Sequence, residues 1–279
     1  MTNKSIIPMI TTEFLSECIK KASESDESIT NTIVFPNCFI DTLSENEKIL
    51  CETIKTLISE ENYNGASSLI NLILTHTTKS KIVNKLLIES CEKGNMVEFT
   101  FLIAQGANIE YDNNMPFVTA CLHGNLNLIT AFIEYGVKPN MVPYAFVMAA
   151  MNEQKETILE LIKNGLNINL NDCEVLKVCV VKGLTEMVDF LVKLGPKLEP
   201  HIDRLLIIST ERGYIDIIRI LLEYMSDSIS VSKRQVLRPT LGKLDKYIDI
   251  AKKNNYTDIE ELLDAKKTEL INAEILQWD

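Results

Sequence analysis

The chain has 279 residues, 46% of them hydrophobic, and a formal net charge of -11. That length suits one extended domain or two compact ones, and the composition is apolar enough to bury a core. The acidic balance disfavours nucleic acid, whose backbone every contact would approach against long-range repulsion. With no run of eighteen apolar residues, no membrane-spanning helix is expected either.

Residues 1–43 open with "MTNKSIIPMITTEF", which lacks the basic region and long apolar core of a secretory leader. Within them "TTEFLSECIKKASES" predicts a helix with Thr11 or Thr12 as N-cap. "SDESITNT" reads as a loop and "IVFPNCFI" as a short extended segment. The segment is either a helical cap or a separate recognition element. Seven cysteines lie scattered at 18, 38, 51, 91, 121, 173 and 179 with no CxxC pair, so free thiols in a reducing compartment are expected.

From residue 84 to 225 the chain repeats. Eight of the ten glycines fall on two ladders, 94, 124, 183, 213 and 106, 136, 165, 195, with Gln154 and Met225 at the rungs that lack one. Four residues before the first ladder stand Ser90, Ala120, Ala150, Cys179 and Ser209, all small. Three residues earlier stand Leu87, Phe117, Val147, Leu176 and Leu206. Beyond the ladder come Phe99, Ile129, Leu159, Val188 and Ile218, then Leu102, Phe132, Ile162, Leu191 and Leu221. Apolar residues three apart on both sides of a glycine predict two short amphipathic helices joined by a tight turn. A unit of this size cannot bury its apolar face alone, so the units must stack.

A thirty-residue shift aligns "LINLILTHT" (69–77) with "FTFLIAQGA" and Leu57 with Leu87, which makes residues 44–83 a degenerate first repeat. Residues 226–242 hold most of a basic, non-periodic stretch (Ser228–Lys243), read as a docking loop, a phosphorylation target or a solvated connection. "NNYTDIEELL" echoes "RGYIDIIRILL", so 243–265 is expected to cap the stack, and 266–279 to continue as a helical tail. Trp278 either packs on the cap or anchors a partner.

The segments "CEKGNMVEFTFLIAQGANIE", "CLHGNLNLITAFIEYGVKPN", "VVKGLTEMVDFLVKLGPKLE" and "TERGYIDIIRILLEYM" resemble the ankyrin repeat, a tight turn followed by two antiparallel helices. The period is shorter than the usual 33 or so. The Thr-Pro-Leu-His signature is reduced to "MPFV" (115–118), and Ile88, Val118, Met148, Lys177 and Ile207 stand where the family has histidine. Thirty-residue repeats of this kind resemble those of giant DNA viruses of amoebae. The resemblance implies an all-α ankyrin-repeat solenoid over 44–265, with an N-terminal helical cap and C-terminal capping helices.

It also implies a concave binding face built from the C-terminal ends of the first helices and from the loop tips. By position the ends are Glu92, Lys93, Leu122, His123, Asn152, Glu153, Val181, Lys182, Glu211 and Arg212. The tips are Asp112, Asn113, Asn114, Val142, Pro143, Tyr144, Asn171, Asp172, His201 and Asp203. Tyr144, Leu122 and His123 suit anchors, because interfaces favour aromatic and apolar contacts.

Cys121 and His123 attract a metal or nucleophile reading. The equivalents of Cys121 are Cys91, Met151, Val180 and Thr210, a buried-side row, while those of His123 are charged. Cys121 is therefore expected in the core. There is no GxGxxG, P-loop, GxSxG or HExxH, and the carboxylates spread along solvated faces. The expectation is a non-enzymatic, cofactor-free, monomeric protein-binding module, intracellular in an infected host cell or in the virion. Two rival readings are a self-assembling virion-associated protein and an inhibitor or substrate adaptor that recruits a host enzyme.

Overall fold

The computed structural model describes residues 44–73, 76–227 and 243–275. The expectations for residues 1–43, for 228–242 of the basic stretch and for Trp278 lie outside them. Among the described residues there are fourteen α-helices and no strand, the all-α repeat architecture expected from the sequence. The chain divides into two units, the first reaching Asn167 and the second starting at Ile168.

The first unit holds four helix pairs: α1 (Glu45–Ser59) and α2 (Tyr63–Asn71), α3 (His76–Lys93) and α4 (Met96–Ala104), α5 (Tyr111–Leu122) and α6 (Leu126–Glu134), α7 (Pro143–Met151) and α8 (Lys155–Lys163). α1, α3, α5 and α7 pack in succession, and α4, α6 and α8 form a second row. The helix starts follow from local chemistry. Glu47 N–H donates to Ser44 Oγ at 3.4 Å while Ser44 N–H donates to Glu47 Oε2 at 2.8 Å, a reciprocal cap on α1. Asn95 Oδ1 accepts from Val97 and Glu98 N–H at the start of α4.

The first helix of each pair ends in a left-handed residue: Glu61, Gly94, Gly124 and Glu153. The next N–H turns back to the carbonyl five residues earlier: Asn62 to Leu57, Asn95 to Ser90, Asn125 to Ala120, Gln154 to Ala149. At Gly94 the absent side chain also makes room for the following pair. A methyl there would stand 2.5 Å from Asn125 Oδ1, and Asn125 Nδ2 donates to Cys91 O at 2.6 Å, tying α5–α6 to the end of α3.

These turns correct the register read from the glycines. Glu153, at φ 56°, takes the left-handed position, and Gln154 is the N-cap of α8 rather than the missing glycine. The core rows therefore run through Phe146, Ala149, Ile158 and Leu161 (1%, 0%, 0% and 0% exposed), whereas Leu159 is 47% exposed. The lost residue falls in the finger between Gly136 and α7, where Pro139–Met141 form a 3-10 turn. The first pair shifts likewise: Asn62 aligns with Asn95, so Leu57 shares the position of Ser90 rather than Leu87.

The centre of this unit is aromatic. Phe132 meets Phe99 at 5.0 Å and Phe117 at 5.7 Å between ring centroids, both edge-on, and all three are fully buried. Asparagine amides hold the fingers. Asn84, 1% exposed, accepts Asn108 N–H at 2.7 Å; Asn140 accepts Asn167 N–H at 2.7 Å and donates to Gly165 O at 2.6 Å.

The second unit holds α9 (Leu170–Lys182) with α10 (Thr185–Lys193), α11 (Ile202–Arg212) with α12 (Ile215–Asp227), and α13 (Leu244–Lys253) with α14 (Thr257–Ile275). Gly183, Gly213 and Asn255 are its left-handed turns, followed by the same backward bonds from Leu184, Tyr214 and Tyr256. The small row continues as Cys179, Ser209 and Ala251, each 0% exposed. Asn169 repeats the role of Asn140, accepting Lys197 N–H at 2.7 Å.

Candidate protein-binding face

In the first unit the ends of α3, α5 and α7 bring three pairs of side chains into one series. Glu92 and Lys93 are exposed, Leu122 and His123 are half-buried, and Asn152 and Glu153 are exposed. The corrected register alters the last pair: Asn152 caps α7 as His123 caps α5, so Met151 stands in the row of Leu122 and Glu153 occupies the turn. Lys93 reaches Glu98 at 3.3 Å across the turn, a surface pair weak enough to exchange for a partner's carboxylate.

The fingers supply the second row. Asp112, Asn113 and Asn114 have φ of 48°, 56° and 66°, three successive left-handed residues before the right-handed helix resumes. Asn and Asp tolerate that region better than other side chains, because their short polar groups bond locally. Asn113 is exposed and Asp112 half-buried. Tyr144, half-buried, follows Pro143 in the first turn of α7. Val142 does not face out as expected; it is 5% exposed, because the shorter finger turns it into the core.

In the second unit Asp172 and Arg212 are exposed and Lys182 and His201 half-buried. Lys182 and Arg212 lie in the last turns of α9 and α11, where the negative end of the helix dipole favours a cation. Burial, with the charge of Lys177 in support, lowers the His201 pKa below the ordinary histidine value. Asp203 is not a free tip residue: it accepts the Tyr247 hydroxyl and, at 2.9 Å, the Lys243 ammonium.

Sequence reasoning passed over Glu174, a residue 8% exposed whose carboxyl pKa is raised by burial, and saw in Lys177, whose pKa burial lowers, only the occupant of the family's histidine position. Glu174 lies three residues before Lys177 in α9, at the start of the stretch that stands where the family has Thr-Pro-Leu-His. Sequence reasoning also missed the asparagines that fix the fingers, although Asn140 and Asn169 share a register, each four residues after a glycine of the second ladder.

Cys121 is 0% exposed, and burial raises its thiol well above the ordinary cysteine value; the Cys91 thiol is pushed up to about 12 by the same cause. His123 is on the surface side of the same turn. Among the described residues no group of three or more His, Cys, Asp or Glu is placed to hold a metal ion.

No protein-family model matches the chain. It is 27% identical over 88 residues, 32% of its length, to a protein of Acanthamoeba polyphaga mimivirus named as an ankyrin repeat protein, and it spans 31% of that relative. In structure it is similar to the ankyrin repeat domain of human ASB11, with a TM-score of 0.45, 20% identity, and coverage of 65% of this chain and 84% of that one.

Proposed function

We propose that this chain is a non-catalytic module that binds a protein partner through the helix ends and finger tips of its repeats. The observation that carries the reading is a division of labour within each repeat. Ser90, Ala120 and Ala149 hold one buried row, while the residues at the helix ends run Lys93, His123 and Asn152, the first and last exposed and His123 half-buried. Core positions keep one chemistry because packing demands it; the end positions change charge and size from repeat to repeat, as a surface that reads a partner does. Leu122, half-buried in the row that runs from Glu92 to Met151, is the apolar anchor of the first unit.

The partner is a protein rather than nucleic acid on grounds of charge: at -11 overall the molecule repels a polyphosphate. The similarity to a mimivirus protein supports a viral role, acting on host or viral proteins in the infected cell. The buried, reduced thiols of Cys51, Cys91, Cys121, Cys173 and Cys179 fit a reducing compartment.

Affinity capture from extracts of infected amoebae tests the reading, with the wild-type chain and a Leu122→Asp/His123→Ala variant compared by quantitative mass spectrometry. Proteins held by the wild type and lost from an equally folded variant support it. An unchanged set of captured proteins contradicts it, and a mass that grows with concentration in light scattering would favour self-assembly instead.

A further inference from the structure

α1 carries its apolar residues on two faces. Cys51, Ile54 and Ile58, 1%, 0% and 5% exposed, pack into the unit. Ile49, Thr53 and Leu57 form a second stripe at four-residue spacing, which places them on one helix face. Ile49 is 62% exposed, Thr53 is exposed and Leu57 half-buried. This stripe lines a shallow groove of about 510 Å³.

The repeat register says what the groove is. The turn bonds align Leu57 with Ser90, and therefore Thr53 with Leu86 and Ile49 with Ile82. In α3 those three residues are 0%, 3% and 0% exposed. In α5 and α7 the last two positions of the row, Pro116 with Ala120 and Ala145 with Ala149, are buried as well. Each of these helices has a predecessor packed against it: α1 on α3, α3 on α5, α5 on α7. α1 is the one first helix of the unit whose preceding neighbour is missing from the described residues; the Ile49 position lies within a regular helix again only at Ile82 of α3, since in α5 and α7 it falls in the fingers, at the half-buried Asp112 and the exposed Met141.

We propose that residues 1–43 of the same chain supply that neighbour, with the predicted helix after Thr12 laid along the Ile49–Thr53–Leu57 groove. Phe14, Leu15, Cys18 and Ile19 fall at i, i+1, i+4 and i+5, one apolar stripe matched to the stripe on α1. The groove's rim carries the exposed Glu45 and Glu52 together with Lys48, which pairs with Glu45 at 3.1 Å; Glu52, whose contact with Lys55 is a loose 3.9 Å, is the carboxylate left for Lys20 and Lys21 to complement. The tether reaches. Ser44 caps α1, which at about 1.5 Å per residue is roughly 22 Å long. The twenty-two residues 22–43 can extend up to about 3.3–3.6 Å each.

Two measurements on the full-length chain test this. In hydrogen–deuterium exchange, peptides spanning residues 11–21 should exchange at least about tenfold faster in Ile49→Asp than in the wild type, while α3–α8 are unchanged. If that peptide exchanges at the free-chain rate in the wild type, or ignores the substitution, the proposal is overturned. The second uses Thr53→Cys, a change at an exposed site, with a short bis-maleimide. An intramolecular link between the introduced thiol and Cys18, absent in a Cys18→Ser background, is the expected product. A link found only in covalent dimers would assign the groove to a second copy and overturn the proposal, as would no link at all.

Discussion

The hydroxyl of Tyr247, a ring 0% exposed in α13, donates its hydrogen bond to Oδ1 of Asp203 in the first turn of α11, and the Lys243 ammonium holds the other oxygen at 2.9 Å. This contact fastens the last helix pair of the second unit to the pair before it. A carboxylate that sequence position alone would assign to a partner is spent on the protein's own stack.

Tyr247→Phe keeps the ring and removes the donor, so it should destabilise the chain by about 1.5–3 kcal/mol, the usual worth of a hydrogen bond to a charged group. Burial raises the Asp203 pKa, but the hydrogen bonds from Tyr247 and Lys243 and the charges of Lys243 and Lys246 outweigh it and hold the carboxyl below its ordinary value. A depressed folded pKa gives stability that is present above the unfolded value of about 3.9 and lost as pH falls through the folded value. Urea titrations at pH 7 and pH 3 should therefore show the gap between wild type and Tyr247→Phe shrinking at the lower pH. An equal gap at both would contradict the assignment.

Gly183 and Gly195 separate two costs that a repeat glycine carries. Both have left-handed backbone, φ 72° and 78°, but an added methyl meets the Tyr214 ring at 2.8 Å at Gly183 and nothing within 4 Å at Gly195. Gly195→Ala should cost about 1–2 kcal/mol, from the backbone alone. Gly183→Ala should cost measurably more, and its excess should shrink in a Tyr214→Ala background. Thermal unfolding of Gly195→Ala, Gly183→Ala, Tyr214→Ala and the Gly183→Ala/Tyr214→Ala double variant decides it, and an excess at Gly183 that persists without the tyrosine ring would contradict the assignment.

The register around Glu153 gives a sharper contrast. Ile158→Ala should cost about 2–5 kcal/mol as a fully buried deletion, whereas Leu159→Ala, at 47% exposed, should stay within about 0.5 kcal/mol. Denaturant midpoints in the reverse order would restore the register read from glycines alone.

Much of the fold was legible because two glycine ladders and a small-residue row repeat together, and left-handed turns leave that mark whenever glycine fills them. Legibility failed where chemistry was substituted. Glu153 adopts the left-handed backbone without being glycine, so the ladder pointed one residue too far and placed Leu159 in the core. Glu61 and Asn255 do the same at the first and last turns. The candidate face was legible as positions on helix ends, since those follow from the turns. Asp203 and Val142 were not, because a tyrosine forty-four residues away and a finger one residue short decide where they point.

His201 supplies a pH test in the second unit. Its pKa is lowered by burial, then by Lys177, and partly restored by Asp172. With a folded value below the unfolded value of about 6.5, stability should fall as pH drops from there through the folded value. His201→Gln should flatten that part of the profile between pH 7.5 and 5.5. A wild-type profile that already runs flat there would contradict it.

The central claim is that a partner is read by the helix ends and not by the outer helix faces. Isothermal titration of a captured partner against two matched variants tests it most directly. Leu122→Asp/His123→Ala should weaken binding by tenfold or more, at least about 1.4 kcal/mol, while Leu159→Lys on the exposed face of α8 should leave Kd unchanged. If the Leu159 change weakens binding and the helix-end change does not, the account of the binding face is wrong.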